Sequence, residues 1–208
     1  MRIRLSDLES ARRNPRAFAQ GKLSGPTGYR SRYLTLRTVA MNFHAQNDLA
    51  ASAALLDQRL RKQFKTTTGN KLCMEKLQTY VAAFEALGTS VARVRNNVTV
   101  RLPEEYAPFA VSGQVSRLDV APLGGYRAWL FTNKSDPWRD ELRFPLLQLA
   151  SADQLGVGPE EVIPGVYDFS TGHYTELRYT KQELSRAGRD LLGFLDSLKR
   201  FGALKQPK

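Results

Sequence analysis

The sequence contains a single cysteine, Cys73, among its 208 residues. One thiol cannot form an intramolecular disulfide, and it cannot supply the sulfur ligands of a four-cysteine iron–sulfur or zinc site. The chain also lacks any run of about 18 apolar residues, the length that a membrane-spanning helix requires, and its N-terminus has no apolar run before its first charges. We therefore expect a cytoplasmic protein that is not exported.

Acidic residues are scarce in the N-terminal third. Residues 1–71 hold 14 lysines and arginines against 4 acidic residues, whereas residues 72–208 hold 17 against 16. Concentrated positive charge attracts a polyanion such as nucleic acid, and such binding weakens as the salt concentration rises. A basic surface that only aids solubility is the alternative. The candidate nucleic-acid contacts are Arg12, Arg13, Arg16, Lys22, Arg30, Arg32, Arg37, Arg59, Arg61, Lys62 and Lys65.

Apolar spacing and helix-capping residues predict mostly helical structure before residue 88. Ser6 and Glu9 have the spacing of a capping box, which predicts a helix start. Apolar residues recur at helical spacing between positions 33 and 64, as in one or two amphipathic helices. A further helix is expected from Asn70 to a stop at Gly88.

The rest of the chain alternates between strand and helix patterns. Residues 91–100 are either a hairpin or one interrupted strand. Two β-type runs then flank a turn at residues 122–125, which predicts a hairpin. A helix at about 145–156, two strands at 162–169 and 173–179, and a final helix opened by a capping box at Thr180 and Glu183 complete the order.

This order predicts an α/β fold with a mixed central sheet and helices on both faces. We expect a single domain over residues 1–208, of which residues 1–71 form a basic helical part and residues 72–202 the core. Residues 203–208 are expected to be a frayed tail.

Several motifs, in this order along the chain, resemble those of the RecB-like branch of the PD-(D/E)XK nuclease superfamily. Residues 5–18 are similar to the opening helix of that branch. His44 matches a helical histidine that ligates a metal there. The stretch from Gly113 to Asp119 is similar to the strand that ends in the central metal-binding aspartate. The resemblance implies a PD-(D/E)XK-like fold in which His44 and Asp119 are metal ligands.

Two further positions extend the resemblance. Lys134 matches the lysine of the acidic-x-lysine motif, and Gln148 matches the glutamine of the helix that follows. Together with Asp119, these residues are the catalytic positions that the resemblance implies. An intact site of this kind holds Mg²⁺ or Mn²⁺ through carboxylates, while the lysine orients the attacking water.

The sequence also departs from the family pattern. Thr132 stands where the second carboxylate is expected, and Ala152 stands in place of a tyrosine. Asn14 stands where some members have a cluster-binding cysteine, so no iron–sulfur cluster is expected. A hydroxyl is a much poorer metal ligand than a carboxylate, so Thr132 predicts a weakened or lost hydrolytic site. Asp136 or Glu141, which follow the hairpin closely, could supply a replacement carboxylate.

Three functions remain open at this point. The first is a DNA-binding protein with a degenerate nuclease site, acting in repair, recombination or antiviral defence, and in some settings as a subunit of a larger complex. The second is an active deoxyribonuclease that uses Mg²⁺ or Mn²⁺ with a rearranged ligand set. The third is a non-catalytic adaptor subunit that binds protein or RNA.

The candidate site residues have structural alternatives as well. His44 could be a core histidine that is satisfied by hydrogen bonds. Asp119 could pair with Arg117, Arg127 or Lys134 instead of a metal. Gln148 could serve a buried hydrogen bond between a helix and a strand.

Overall fold

The computed structural model describes residues 1–21, 31–133 and 140–202, and within them it contains a six-stranded mixed sheet. The strands are β1 (Arg2–Arg4), β2 (Ser90–Val100), β3 (Ala110–Val120), β4 (Tyr126–Thr132), β5 (Val162–Asp168) and β6 (His173–Glu176). The path of hydrogen-bonded neighbours runs β1-β3-β4-β5-β6; β1 and β4 pair with different parts of one edge of β3, and β2 pairs with the opposite edge. The β1–β3 and β4–β5 pairs are parallel, and the other pairs are antiparallel.

Seven helices in the described residues cover both faces of this sheet. They are α1 (Leu8–Arg13), α2 (Pro15–Ala19), α3 (Arg32–Gln46), α4 (Leu49–Gln63), α5 (Thr67–Leu87), α6 (Arg143–Leu155) and α7 (Lys181–Arg200). Helices α3, α4 and α5 pack with Trp129 and Phe131 on one side, here called the α3–α5 face. Helices α1, α6 and α7 pack with Leu118 and Ala128 on the other side, the α6–α7 face. The predicted α/β architecture is thereby confirmed.

Several predicted boundaries match the structure because local chemistry determines them. Gly88 ends α5 in the left-handed conformation, with φ 61°. Thr180 and Glu183 form both hydrogen bonds of the capping box that opens α7. The hairpin of β3 and β4 lies where two strand-like runs flank the turn. None of the helices in the described ranges is both long and apolar enough to cross a membrane.

Other boundaries differ from the predictions. In two cases, a side chain that was expected to cap its own helix bonds a residue far along the chain instead. The Glu9 carboxylate accepts a hydrogen bond from the backbone N–H of Leu142 at 2.7 Å, so no capping box forms with Ser6 and a 3-10 turn precedes α1. Asn70 lies inside α5 and accepts a hydrogen bond from the Arg32 Nε at 3.0 Å. Residues 90–100 form one strand with a positive φ at Arg95. The tail at 203–208 lies outside the described residues.

One edge of β3 is shared by two other strands, and this opens a gap in the sheet. Strand β1 pairs with residues 110–112, whereas β4 pairs with residues 117–120. Between them, the Phe131 N–H donates to the Ser116 hydroxyl at 3.2 Å. We call the gap beside residues 113–116, between β1 and β4, the sheet fork.

Gly165 on β5 makes room for Trp129 on the neighbouring strand β4. The two residues are paired in register, and a Cβ atom at Gly165 would lie 2.3 Å from the Trp129 ring and 2.9 Å from the Thr175 carbonyl oxygen. No real Cβ tolerates such distances, and the carbonyl belongs to the backbone. Gly165 therefore fixes where the Trp129 ring can lie.

We predict that Gly165→Ala lowers the free energy of unfolding by about 1–3 kcal/mol, since overpacking forces neighbouring groups to move. Gly193→Ala is the matched control, because no atom lies within 4 Å of a Cβ at that α7 position. That change should instead raise the free energy by about 0.5–1 kcal/mol through helix propensity. Urea unfolding measures both values, and stabilisation by Gly165→Ala would contradict the packing argument.

Candidate functional site

The guanidinium of Arg117 is the centre of a buried polar cluster on the α3–α5 face. Arg117 and Asp119 are alternate residues of β3, so their side chains share one face. Both side chains are 0% exposed. The Arg117 Nε lies 2.8 Å from Oδ1 of Asp119, and Nη2 lies 2.7 Å from Oδ2. This two-point geometry is the strongest that an arginine–carboxylate pair forms.

The Asp119 carboxylate accepts hydrogen bonds from two further side chains. The Trp129 Nε1 donates to Oδ2 at 2.8 Å, and the Thr89 hydroxyl donates to the same oxygen at 3.1 Å. Three residues therefore satisfy the carboxylate inside the protein. The donors of all three residues meet at Oδ2, so a metal ion bound to that oxygen would have to displace at least one of them.

Aromatic side chains enclose the other side of the guanidinium. Nη1 donates to the hydroxyl groups of Tyr80 at 2.7 Å and Tyr174 at 2.8 Å. The guanidinium carbon lies 4.5 Å from the centre of the Phe84 ring and 5.3 Å from that of Tyr174. Such distances allow cation–π attraction, which strengthens when the cation is desolvated. Arg117 is thus held by charge, by hydrogen bonds and by ring faces together.

His44 adjoins this cluster as a neutral imidazole. Burial, together with the nearby charge of Arg117, lowers the pKa of His44 to about 3. Its Nε2 lies 2.5 Å from the Tyr80 hydroxyl oxygen and 3.5 Å from Nη1 of Arg117. Burial also raises the pKa of Tyr80 well above its ordinary value, so the hydroxyl keeps its proton. Because the arginine can only donate, we assign Nε2 as the acceptor and the Tyr80 hydroxyl as its donor.

The structure brings the two predicted metal ligands into one cluster but places Arg117 between them. The guanidinium bonds Asp119 on one side and approaches His44 on the other. The alternative in which Asp119 pairs with Arg117 is confirmed. Across the described ranges, no group of three or more histidine, cysteine, aspartate or glutamate side chains is arranged to hold a metal ion. The donor set around Asp119 thus does not fit Mg²⁺ or Mn²⁺.

Thr132 belongs to the opposite face of the sheet. Trp129 and Phe131 pack on the α3–α5 face, so alternation along β4 turns Thr132 towards the α6–α7 face. A carboxylate at position 132 would therefore be separated from Asp119 by the sheet. In the parallel register, Thr132 lies opposite Asp168, a buried carboxylate that the sequence motifs did not indicate. Lys134 and Asp136 lie outside the described residues.

The remaining candidates near the hairpin are engaged away from the Arg117 cluster. The Gln148 Nε2 donates to the Pro159 carbonyl oxygen at 2.8 Å, in the connection between α6 and β5. Glu141 forms an ion pair with Arg143. Gln148 thus bonds the 3-10 turn at Pro159–Glu161, whereas the structural alternative was a bond to a strand.

The predicted basic residues divide into exposed and engaged groups. Arg12 pairs with Glu9, and Arg32 bonds Asn70 and Thr66 while its guanidinium carbon lies 4.5 Å from the centre of the Phe64 ring. Lys22 and Arg30 lie outside the described residues, and Arg37 and Arg59 are half-buried. The exposed members, which are open to a large anionic partner, are Arg13, Arg16, Arg61, Lys62 and Lys65, and of these Arg61 also pairs with Asp57.

A cavity of about 420 Å³ opens at the sheet fork, and four arginines line it. They are Arg2, Arg4, Arg37 and Arg143. Of these four, only Arg37 was among the predicted nucleic-acid contacts. The available signal for Arg2 and Arg4 was their alternation around Ile3, which is typical of a short strand with one buried face.

Removal of one partner should show how strongly the buried ion pair matters. We predict that Asp119→Asn lowers the free energy of unfolding by about 3–5 kcal/mol, because it leaves Arg117 buried without a counter-charge. The double variant Arg117→Met/Asp119→Leu should lower the free energy of unfolding by less than the sum of the losses that Arg117→Met and Asp119→Leu cause separately. The matched control is Arg178→Ala, which breaks a pair with Glu176 in which the arginine is 73% exposed, and it should cost less than about 1 kcal/mol. Equal losses for Asp119→Asn and Arg178→Ala in urea unfolding would refute the role of the buried pair.

Comparisons with known proteins give a fold but no family. No family model matches the sequence, and no curated protein matches it. A crystal structure from Eubacterium rectale, named "putative exonuclease", matches this chain with a TM-score of 0.52 at 10% identity, over 96% of this chain and 82% of that chain. The chain therefore has a nuclease-like α/β fold.

Proposed function

We propose that this chain is a DNA-binding protein of the RecB-like branch of the PD-(D/E)XK nuclease superfamily, and that its metal-dependent hydrolytic site is lost. One observation carries the proposal. The Arg117 guanidinium fills the space between Asp119 and His44, the two residues that the resemblance implies as metal ligands. The nuclease-like fold supports the same relationship.

A guanidinium cannot replace the chemistry of a divalent ion. A metal lowers the pKa of bound water and polarises the phosphate through open coordination positions. The guanidinium has only N–H donors and keeps its proton, and those of Arg117 are directed at Asp119, Tyr80 and Tyr174. Arg117 therefore keeps positive charge in the site while it leaves no place for an activated water.

DNA binding is supported by the exposed basic residues of the N-terminal third. Arg13 and Arg16 lie together at α1 and α2, and Arg61, Lys62 and Lys65 lie at and just after the end of α4. Contacts of such residues with phosphates supply affinity without reading sequence. The family resemblance favours DNA as the ligand and a cytoplasmic role in repair, recombination or antiviral defence, as a subunit of a larger complex.

A second candidate is an active nuclease with a rearranged ligand set, and Asp168 is the observation in its favour. Asp168 lies at the end of β5, opposite Thr132 in the parallel register. Lys134 is two residues beyond Thr132 in the sequence. The Asp168 carboxylate accepts hydrogen bonds from the Ser170 N–H and hydroxyl at 2.7 Å. With Mg²⁺ or Mn²⁺, this carboxylate would serve in place of the one that Thr132 lacks.

Cleavage assays separate these two candidates. Linear and circular DNA, single- and double-stranded, would be incubated with Mg²⁺ or Mn²⁺ and with wild type, Asp168→Asn or Lys134→Ala. We expect no cleavage by any of the three proteins, because the described residues offer no group of ligands that is arranged to hold a metal ion. Cleavage by wild type that both variants abolish would establish the second candidate instead. Asp119 variants are not suitable controls here, since loss of stability alone would lower their activity.

Salt-dependent retention tests DNA binding itself. We predict that the double variant Arg13→Ala/Arg16→Ala weakens DNA binding. The negative slope of log K against log salt should become shallower by about 1 for each phosphate that is no longer neutralised. The matched control is Arg101→Ala with Arg200→Ala, which removes two exposed arginines outside residues 1–71. Equal effects of the two pairs would argue against a localised surface. Failure to retain DNA even at low salt would favour an adaptor that binds protein or RNA.

A further inference from the structure

The sheet fork cavity has a positive lining that the Arg117 cluster does not explain. Arg2 and Arg4 reach it from β1, Arg37 from α3 and Arg143 from the start of α6. Its other polar lining residues are Ser6, Asn97, Ser112 and Gln114, and none of the described residues that line it is acidic. Four arginines without a carboxylate among the described lining residues give the cavity a positive potential that favours an anion.

Arg37 shows that this lining lacks a partner inside the protein. Its Nη2 reaches the Ser116 hydroxyl at 3.4 Å, a long contact. Its Nε is buried and has no hydrogen-bond acceptor among the described residues. A buried donor without an acceptor is costly, so an incoming oxygen anion gains a hydrogen bond that the protein alone does not make.

Neighbouring acidic residues offset only part of the positive charge of the four arginines. Glu141 pairs with Arg143 from outside the cavity wall. Arg2 donates from Nε to the neutral Ser112 hydroxyl at 3.1 Å, and Arg4 is exposed. Three of the four arginines therefore keep their charge uncompensated by an ion pair within the described ranges.

Size and donor geometry narrow the class of anion. Guanidinium groups match the oxygens of phosphate through paired N–H donors. At about 420 Å³, the cavity is of the size that takes a small molecule rather than a stretch of duplex. Leu130, Phe131 and Leu147 add an apolar wall against which the body of a nucleotide can pack.

We infer that the sheet fork cavity binds a phosphate monoester carried by one nucleotide unit, either at the end of a nucleic-acid strand or in a free nucleotide. The inference rests on the proposed DNA-binding function for the strand-end source. In that case the exposed arginines of α1 and α2 hold the backbone without regard to its ends, and the cavity distinguishes a phosphorylated end from a hydroxyl end.

The test uses the full chain with short single-stranded oligonucleotides that end in a 5′-phosphate, a 3′-phosphate or hydroxyls only. Anisotropy measures their binding, and calorimetry measures binding of AMP and of inorganic phosphate. We expect one of the phosphorylated ends to bind about tenfold more tightly than the hydroxyl ends, since loss of one charge-assisted hydrogen bond changes affinity by roughly that factor. Inorganic phosphate should compete away this difference.

Arg4→Ala should abolish the preference for a phosphorylated end, because Arg4 lines the cavity. The variant should still fold, because Arg4 is exposed and its loss leaves the core intact. Arg37→Gln should also abolish the preference, and its folding can be checked by urea unfolding; if it does not fold, Arg4→Ala carries the test. The matched control Arg200→Ala removes an exposed arginine of α7 that does not line the cavity, and it should keep the preference.

The outcomes separate this inference from the proposed function. DNA retention that ignores the end group, with no binding of AMP or inorganic phosphate, would overturn the inference and leave DNA binding in place. Binding of AMP that Arg4→Ala weakens, without any DNA retention, would support the site and identify a free nucleotide as its source. Equal loss of preference in Arg4→Ala and Arg200→Ala would refute the assignment to the cavity.

Discussion

The buried ion pair of Arg117 and Asp119 constrains the rest of the structure. Two charges without water are tolerated only when each has several well-placed partners. Thr89 and Trp129 serve the carboxylate, while Tyr80 and Tyr174 serve the guanidinium. These partners come from β4, α5, β6 and the connection between α5 and β2. The pair therefore ties the helices of the α3–α5 face to the sheet, and a shift of any one element would leave a buried charge unsatisfied.

The ion pair also links the electrostatics of the protein to its proposed function. A metal-dependent nuclease needs a divalent ion with open coordination positions. In this protein the cation beside Asp119 is the guanidinium of Arg117, which offers no coordination position. Under the proposed function, the positive charge is kept and the hydrolytic chemistry is lost. Affinity for a polyanion then depends on arginines and lysines elsewhere, at the surface and at the sheet fork.

Sequence reasoning worked where local chemistry determines the outcome. Gly88, Thr180 and the β3–β4 turn act within a few residues, and the structure has them where expected. It was wrong about the capping box of Glu9, because a distant N–H, that of Leu142, took the carboxylate.

Features that depend on pairing between distant segments were beyond the sequence. The opposite facing of Asp119 and Thr132 follows from the strand register and the packing of Trp129, neither of which spacing reveals. The sheet fork depends on β1, a strand of 3 residues that pairs with residues more than a hundred positions away. A strand so short shows almost no periodicity, and only the folded sheet brings its Arg2 and Arg4 to the same cavity as Arg143 of α6.

The contact between Gly165 and Trp129 has an evolutionary consequence. A side chain at position 165 requires a smaller residue at position 129, and a smaller residue there would remove the indole N–H that Asp119 accepts. The carboxylate would then keep only Arg117 and Thr89 among its present partners. Positions 119, 129 and 165 should therefore vary together among descendants of this chain, so that a lineage keeps all three or replaces all three.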